Sequence, residues 1–225
     1  MGRSAARDGV GQALGAPALA MGATFLAFGA AVAEAGLSLA WSLIATGAVY
    51  GMAGQLVLLQ GASLGAQPAA LAATIAATAA NARFLPMSVA IAPLLGRGWR
   101  RVLAPPFIAI TPWAAGMRVL PSLPDAARLP WFLGFACASW LVAMATTAAG
   151  HLAAPLLPKA LLAALLFTNP LYFCLLLAAD AARPGVAPAI LGGVLAAPLA
   201  WWIGGAWGLP IAGLIGGTLA FLWRR

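Results

Sequence analysis

A chain of 225 residues with 64% hydrophobic and 7% charged residues, and a mean hydropathy of +0.98, is not an ordinary soluble domain, in which about a quarter of residues are charged. Its net charge of +8 comes from arginines set singly or in short clusters beside apolar runs, the pattern of cytoplasmic loops, and this argues against nucleic acid as a partner. The composition implies an all-α polytopic membrane protein, a single integral membrane domain over residues 1–225 seated in the lipid bilayer.

Residues 1–13, with Arg3 and Arg7, read as a cytoplasmic N-terminal tail. The first span runs from Leu14 to Ala33. With its arginines and "AVAEAG" it imitates a secretory signal. The run is longer than the roughly 7–15 residues of a signal core and further spans follow, so an uncleaved helix is expected. The second span, Leu37 to Gln60, follows at once and closes a tight hairpin. Gln67 to Leu95 contains Pro86 and Pro93. It is long for one helix and short for two, which predicts a broken helix or a helical hairpin, closed by Arg97, Arg100 and Arg101.

From Pro105 to Pro124 the chain carries five prolines around a short apolar core, less than the roughly 20 residues a crossing needs. A re-entrant or interfacial segment is expected there, because irregular backbone at depth needs protein or water to cover it. Four spans follow: Pro130 to Ala149, Leu156 to Ala178, Val186 to Gly204 and Leu209 to Trp223. That makes about six full transmembrane helices besides the broken and proline-rich segments. If both of those return to the side they left, Arg3, Arg7, Arg97, Arg100, Arg101, Arg118, Arg128, Arg183, Arg224 and Arg225 share one side and Lys159 alone lies opposite. Both chain ends are then cytoplasmic. Trp99, Trp131, Trp207 and Trp223 fall near span ends, as an aromatic belt does. Gly192, Gly193, Gly204, Gly205, Gly213, Gly216 and Gly217 suit close helix packing.

Within these apolar runs, "NARFLP" (Asn81 to Pro86) is out of place. A guanidinium at the bilayer centre costs at least about 2.5–3.5 kcal/mol. Thr74, Thr78 and Asn81, at i, i+4 and i+7, form one polar stripe, suited either to interhelical hydrogen bonds or to a solute path. Arg83 stands about 200° around a regular helix from Asn81, so the two cannot serve one cavity without a break. Pro86 supplies one: it lacks the N–H that would bond the Ala82 carbonyl. Arg83 then either meets solute or snorkels from a helix end. A second patch, "VYGMAGQL", holds Tyr50, Gly51, Gly54 and Gln55. A third, "TNPL", sets Asn169 before Pro170 and frees the Leu166 carbonyl. Convergence of the three on one cavity would give a solute site made of Asn81, Arg83, Gln55, Tyr50, Gly51, Gly54, Thr78 and Asn169.

Catalytic chemistry is not indicated. There is no carboxylate pair, Ser/His/Asp set or metal-ligand spacing, so no enzyme, metal or cofactor is expected. Cys137 and Cys174 sit in apolar segments, and His151 reads as a surface or interfacial residue at a span end. Glu34 and Asp180 also lie at span ends, whereas a proton-coupled carrier usually shows an acid within the membrane.

The run Gly29 to Pro93, with "AFGAAVAEAGLS", "VYGMAGQL" and "NARFLPMSVAIAP" in order, resembles the AzlC family, the large subunit of bacterial branched-chain amino-acid exporters. The glycine-flanked Gln55 and the Asn-x-Arg at Asn81 and Arg83 are the most specific points of likeness. The resemblance implies a secondary carrier in the bacterial cytoplasmic (inner) membrane. It would export branched-chain amino acids, and in some members methionine, together with a small multi-span partner, AzlD. The family's aspartate-glutamate pair after the basic loop is missing: "AITPWAAGM" has Thr111 and Pro112 there. That departure implies a carrier that is uncoupled, altered in substrate or reliant on another group. The rival reading is a non-transporting membrane scaffold or assembly subunit.

Overall fold

The computed structural model describes residues 2–63, 67–96, 98–182, 185–204 and 208–223, with no strand among them. Arg97, Arg183, Gly205, Trp207, Arg224 and Arg225 lie outside the described residues. Eleven α-helices are described: α1 (Gly2–Ala13), α2 (Ala16–Glu34), α3 (Leu39–Val49), α4 (Met52–Ser63), α5 (Gln67–Asn81), α6 (Phe84–Ile91), α7 (Ile110–Val119), α8 (Asp125–Ala153), α9 (Lys159–Asp180), α10 (Val186–Ile203) and α11 (Gly208–Trp223). Single turns of 3₁₀ helix at Ala92–Leu95, Trp99–Leu103 and Pro105–Phe107 link α6 to α7.

The chain divides into two compact units. The first holds Met1–Met52 and Arg83–Asn169, the second Ala53–Ala82 and Pro170–Arg225.

In the first unit α8 is the central mast, 29 residues long. Both α1 and α2 lie on it, and glycine permits the approach. A Cβ at Gly9 would collide with the Trp131 carbonyl and one at Gly134 with that of Ala6. Gly29 and Gly150 are related in the same way to Thr147 and Leu26. Lipid gives helices no hydrophobic reason to associate, so such small-residue crossings carry the packing. Trp131, Phe132 and Phe135 of α8 fill the core with Ile91 and Leu120, and Trp131 and Phe135 stack at 5.3 Å between ring centroids. Ser38 starts α3 by accepting a hydrogen bond from the Trp41 N–H at 3.2 Å, an N-cap of ordinary kind. In the second unit α10 and α11 cross through Gly192 and Gly216, where a Cβ on either would lie 2.5 Å from the other's carbonyl oxygen.

The all-helical membrane architecture read from the sequence holds. Among the described residues five stretches are long and apolar enough to cross a bilayer: Ala16–Glu34, Leu71–Leu95, Asp125–Leu156, Lys159–Asp180 and Val186–Ile203. The structure differs from the sequence reading at four places. Residues 2–13 form a helix against α8 in place of a tail. The second span is two helices, α3 and α4, of 11 and 12 residues; at about 1.5 Å per residue neither crosses alone. Leu71–Leu95 has the length for one pass, where the charge pattern favoured a return. The last span, α11, has 16 residues, just under the usual minimum of roughly 17. The proline-rich segment behaves as expected for a short element: its helix, α7, has 10 residues.

Candidate functional site

Two interruptions carry most of the candidate residues. The first lies between α3 and α4. Tyr50 ends α3 in the left-handed conformation (φ 40°, ψ 38°) and is the one non-glycine residue with positive φ among those described. For an L-residue this conformation costs roughly 1–2 kcal/mol, and such residues persist where their surroundings over-determine them. Tyr50 is so held: its hydroxyl donates to Met21 Sδ at 3.7 Å, its ring lies 6.2 Å from that of Phe25, and it is 4% exposed. Gly51 follows, buried and outside any helix, and α4 starts at Met52.

The second interruption, at Ala82–Arg83, falls where Pro86 removes the bond to the Ala82 carbonyl. The Ala82 N–H turns back to Ala79 O at 3.1 Å, and Arg83 keeps right-handed helical dihedrals (φ −56°, ψ −22°). Its guanidinium sits over the Phe84 ring, 5.5 Å from the centroid, a cation–π contact. Arg83 is exposed and makes no ion pair among the described residues.

In the second unit a residue just after the first interruption meets one just before the second. Gly54, in the first turn of α4, faces Asn81, the last residue of α5; a Cβ on Gly54 would lie 2.5 Å from Asn81 Nδ2 and 2.9 Å from Oδ1. Asn81 Oδ1 is buried and accepts no hydrogen bond among the described residues. Gln55, next to Gly54, is fully buried. At this point the N-terminal turn of α4, whose first N–H groups have no carbonyl partner in the helix, approaches the last residue of α5, whose end leaves carbonyls without one. The partial charges of those ends are positive and negative respectively.

The other candidates are less involved. Thr78 is exposed and donates within its own helix to Thr74 O at 2.8 Å, so nothing joins it to Gly54 and Asn81. Asn169 lies in α9 beside Pro170, and its side chain is outside the described ones. A cavity of about 1270 Å³ in the first unit is lined by Pro93, Trp99, Asp125, Arg128, Gly134 and Cys137 among others, and by none of the candidates. Its charges are spent on each other, Arg128 pairing with Asp125 at 2.7 Å and donating to Leu123 O at 2.9 Å.

A polar seam between α3 and α8 was not anticipated. Ser42 Oγ lies 3.0 Å from His151 Nδ1, the Thr46 and Thr147 hydroxyls meet at 3.1 Å, and Trp140 Nε1 donates to Gly47 O at 3.3 Å. His151 is thus bonded to a buried serine, beyond the surface role its place at a span end suggested. The signal was available: Ser42, Thr46 and Tyr50 recur every four residues, as do Thr147 and His151, and helical positions so spaced share a face. Thr111 and Pro112, which stand where acids were expected, are buried in the first turn of α7.

Comparison with curated proteins and with solved structures returns no significant match. The model of the AzlC protein family matches residues 17–157, which include both interruptions, the seam and the whole of α8. On that match, which covers more than half of its length, the chain belongs to the AzlC family, multi-pass membrane proteins with a role in transport.

Proposed function

We propose that the protein is a secondary carrier that exports branched-chain amino acids, and methionine, across the bacterial cytoplasmic membrane with a small AzlD-like partner, and that it is not an enzyme. The observation that carries this reading is the contact of Gly54 with Asn81. It leaves an acceptor, Asn81 Oδ1, buried in an apolar chain without a hydrogen bond among the described residues. A buried unmet acceptor costs about 1–3 kcal/mol and is expected where a ligand supplies the donor. In this reading the solute ammonium goes to Asn81 Oδ1 and the open Ala82 carbonyl. The carboxylate goes to the first N–H groups of α4, and Arg83, two residues beyond Asn81 in the chain, is proposed as the cation that draws it in. Discontinuous helices are common hosts for such sites in carriers. Gln55, next to Gly54 in α4 and fully buried, belongs to the same site.

The test is efflux. Exporter-deficient bacteria loaded with leucine- and methionine-containing dipeptides, carrying the protein and a small partner subunit, are followed for external amino acid. Wild-type protein should release leucine, and Asn81→Ala and Arg83→Ala should abolish release at equal membrane abundance. A well-expressed wild type that releases neither amino acid overturns the assignment. The absence of the family's acidic pair at Thr111 and Pro112 favours the scaffold as second reading. It predicts instead that these substitutions disturb partner assembly.

A further inference from the structure

The large cavity of the first unit shares no residue with the proposed solute site. At about 1270 Å³ it exceeds the roughly 300–1,000 Å³ of ordinary small-molecule pockets. One wall is α8, from which Ala126, Leu129, Pro130, Leu133, Gly134 and Cys137 line it. Their three- and four-residue spacing is that of one helix face, and from 126 to 137 they rise about 16 Å at 1.5 Å per residue. That is about half of the roughly 30 Å hydrocarbon core of a bilayer, the depth of one leaflet. Ala6 of α1 and residues between 93 and 103 supply the other walls.

The two charges that line the cavity, Asp125 and Arg128, offset each other at 2.7 Å, and the rest of the lining is apolar or glycine. The surplus charge borders it. Arg97 stands in sequence between Gly96 and Gly98, and Arg100 and Arg101 between Trp99 and Leu103, all four of which line the cavity. Arg7 follows Ala6 and is exposed on α1, as is Arg3. Against these arginines and Arg128 stand only Asp8 and Asp125 in the same stretches of sequence. Gly96 and Gly98 adopt positive φ, 83° and 113°, which side-chain-bearing residues rarely do. A Cβ on either would meet nothing within 4 Å. Trp99 is 74% exposed and Leu103 50%, so both line the cavity and also face outward, and tryptophan is enriched at the level of lipid headgroups.

A trough one leaflet deep, apolar within and bordered by arginine, matches a single amphiphile with an anionic head. We propose that the cavity holds an acyl chain of an anionic phospholipid whose phosphate is met by Arg128 and the arginines of the 97–101 turn. Arg128 is suited to this: its bonds to Asp125 and to Leu123 O use Nη1 and Nε, two of the five N–H groups that a guanidinium carries. The arginine distribution puts this end of α8 at the cytoplasmic face, where basic pockets between helices bind anionic headgroups. The lipid site does not rest on the carrier reading.

The test uses full-length protein with Cys174→Ser, which leaves Cys137 as its one cysteine. Purified in mild detergent, it is mixed with equal amounts of phosphatidylglycerol and phosphatidylcholine of the same chain length. Native mass spectrometry counts the lipid that stays bound. One phosphatidylglycerol should be retained, about tenfold in preference to phosphatidylcholine, and Arg100→Gln with Arg101→Gln should abolish most of that preference. Cys137 is partly exposed and lies at the inner end of the α8 wall. Alkylating it with a bulky maleimide after purification fills the cavity in protein that is already folded, and should expel the lipid. Protein that also carries Cys137→Ser, treated alike, should keep it. Equal retention of the two lipids by the parent protein overturns the anionic headgroup, and so does a preference unmoved by the arginine substitutions. Phosphatidylglycerol that stays bound after alkylation of Cys137 overturns the cavity as its seat.

Discussion

The hydroxyls of Thr46 and Thr147, 101 residues apart in the chain, lie 3.1 Å from each other with both residues fully buried. Between membrane helices such a bond is worth about 0.6 kcal/mol on average and up to about 1.7 kcal/mol. Thr147→Val keeps the shape and removes the hydroxyl. It should lower thermal stability in mild detergent by about that amount, and Thr46→Val on top of it should cost less than it does alone. Strict additivity of the two would show that the hydroxyls do not depend on each other.

Gly54→Ala is the most pointed test of the candidate site. The added methyl would stand 2.5 Å from Asn81 Nδ2, so the amide must move. If the amide holds solute, leucine efflux should fall by roughly tenfold to a hundredfold, the range over which small misplacements of a positioned group act. Asn81→Ala removes what the methyl strikes. The double variant should therefore be no worse than Asn81→Ala alone, and a further large loss would place the effect of Gly54 elsewhere.

Arg83→Lys keeps the charge and loses the planar fork. It should leave membrane abundance unchanged and weaken leucine transport about tenfold, the loss of a good bidentate contact. Unchanged transport would remove any bidentate role and leave Arg83 as the partner of Phe84.

At the crossing of α2 and α8, a Cβ on Gly150 would overlap the Leu26 carbonyl. Neither helix has a flexible side chain there to yield, so Gly150→Ala should destabilise by about 1–3 kcal/mol, the usual cost of overpacking. Gly193→Ala meets nothing within 4 Å and should be neutral. Equal melting temperatures for the two variants would show that the α2–α8 contact is looser than described.

Local chemistry made some of this legible in the sequence. Pro86 cannot bond the Ala82 carbonyl, and the chain opens there. The all-helical class follows from apolar runs that leave the backbone no partner but itself. The break at Tyr50 was hidden because left-handed caps are usually glycine or asparagine. A tyrosine followed by glycine reads as packing, and Met21 and Phe25, which hold the ring, are a long way back in the chain. The polar faces of Ser42 and Thr46 and of Thr147 and His151 were legible in their four-residue spacing, but which helices pair is fixed by tertiary contact, so that these faces meet, and that Gly54 meets Asn81, was beyond reach. The amphipathic 2–13 segment was read as a tail because the glycine that seats it, Gly134, belongs to a helix more than a hundred residues later.

That separation bears on how the protein is made. The faces of α1, α2 and α3 that close on α8 are synthesised roughly a hundred residues before their partner, as the 101-residue spacing of Thr46 and Thr147 shows. At about 5–20 residues per second, the early helices wait on the order of 5–20 s in the bilayer with their hydroxyls and bare glycine backbones uncovered. Nascent chains halted before Asp125 should accordingly be held by insertion machinery or membrane chaperones, and released once α8 has entered.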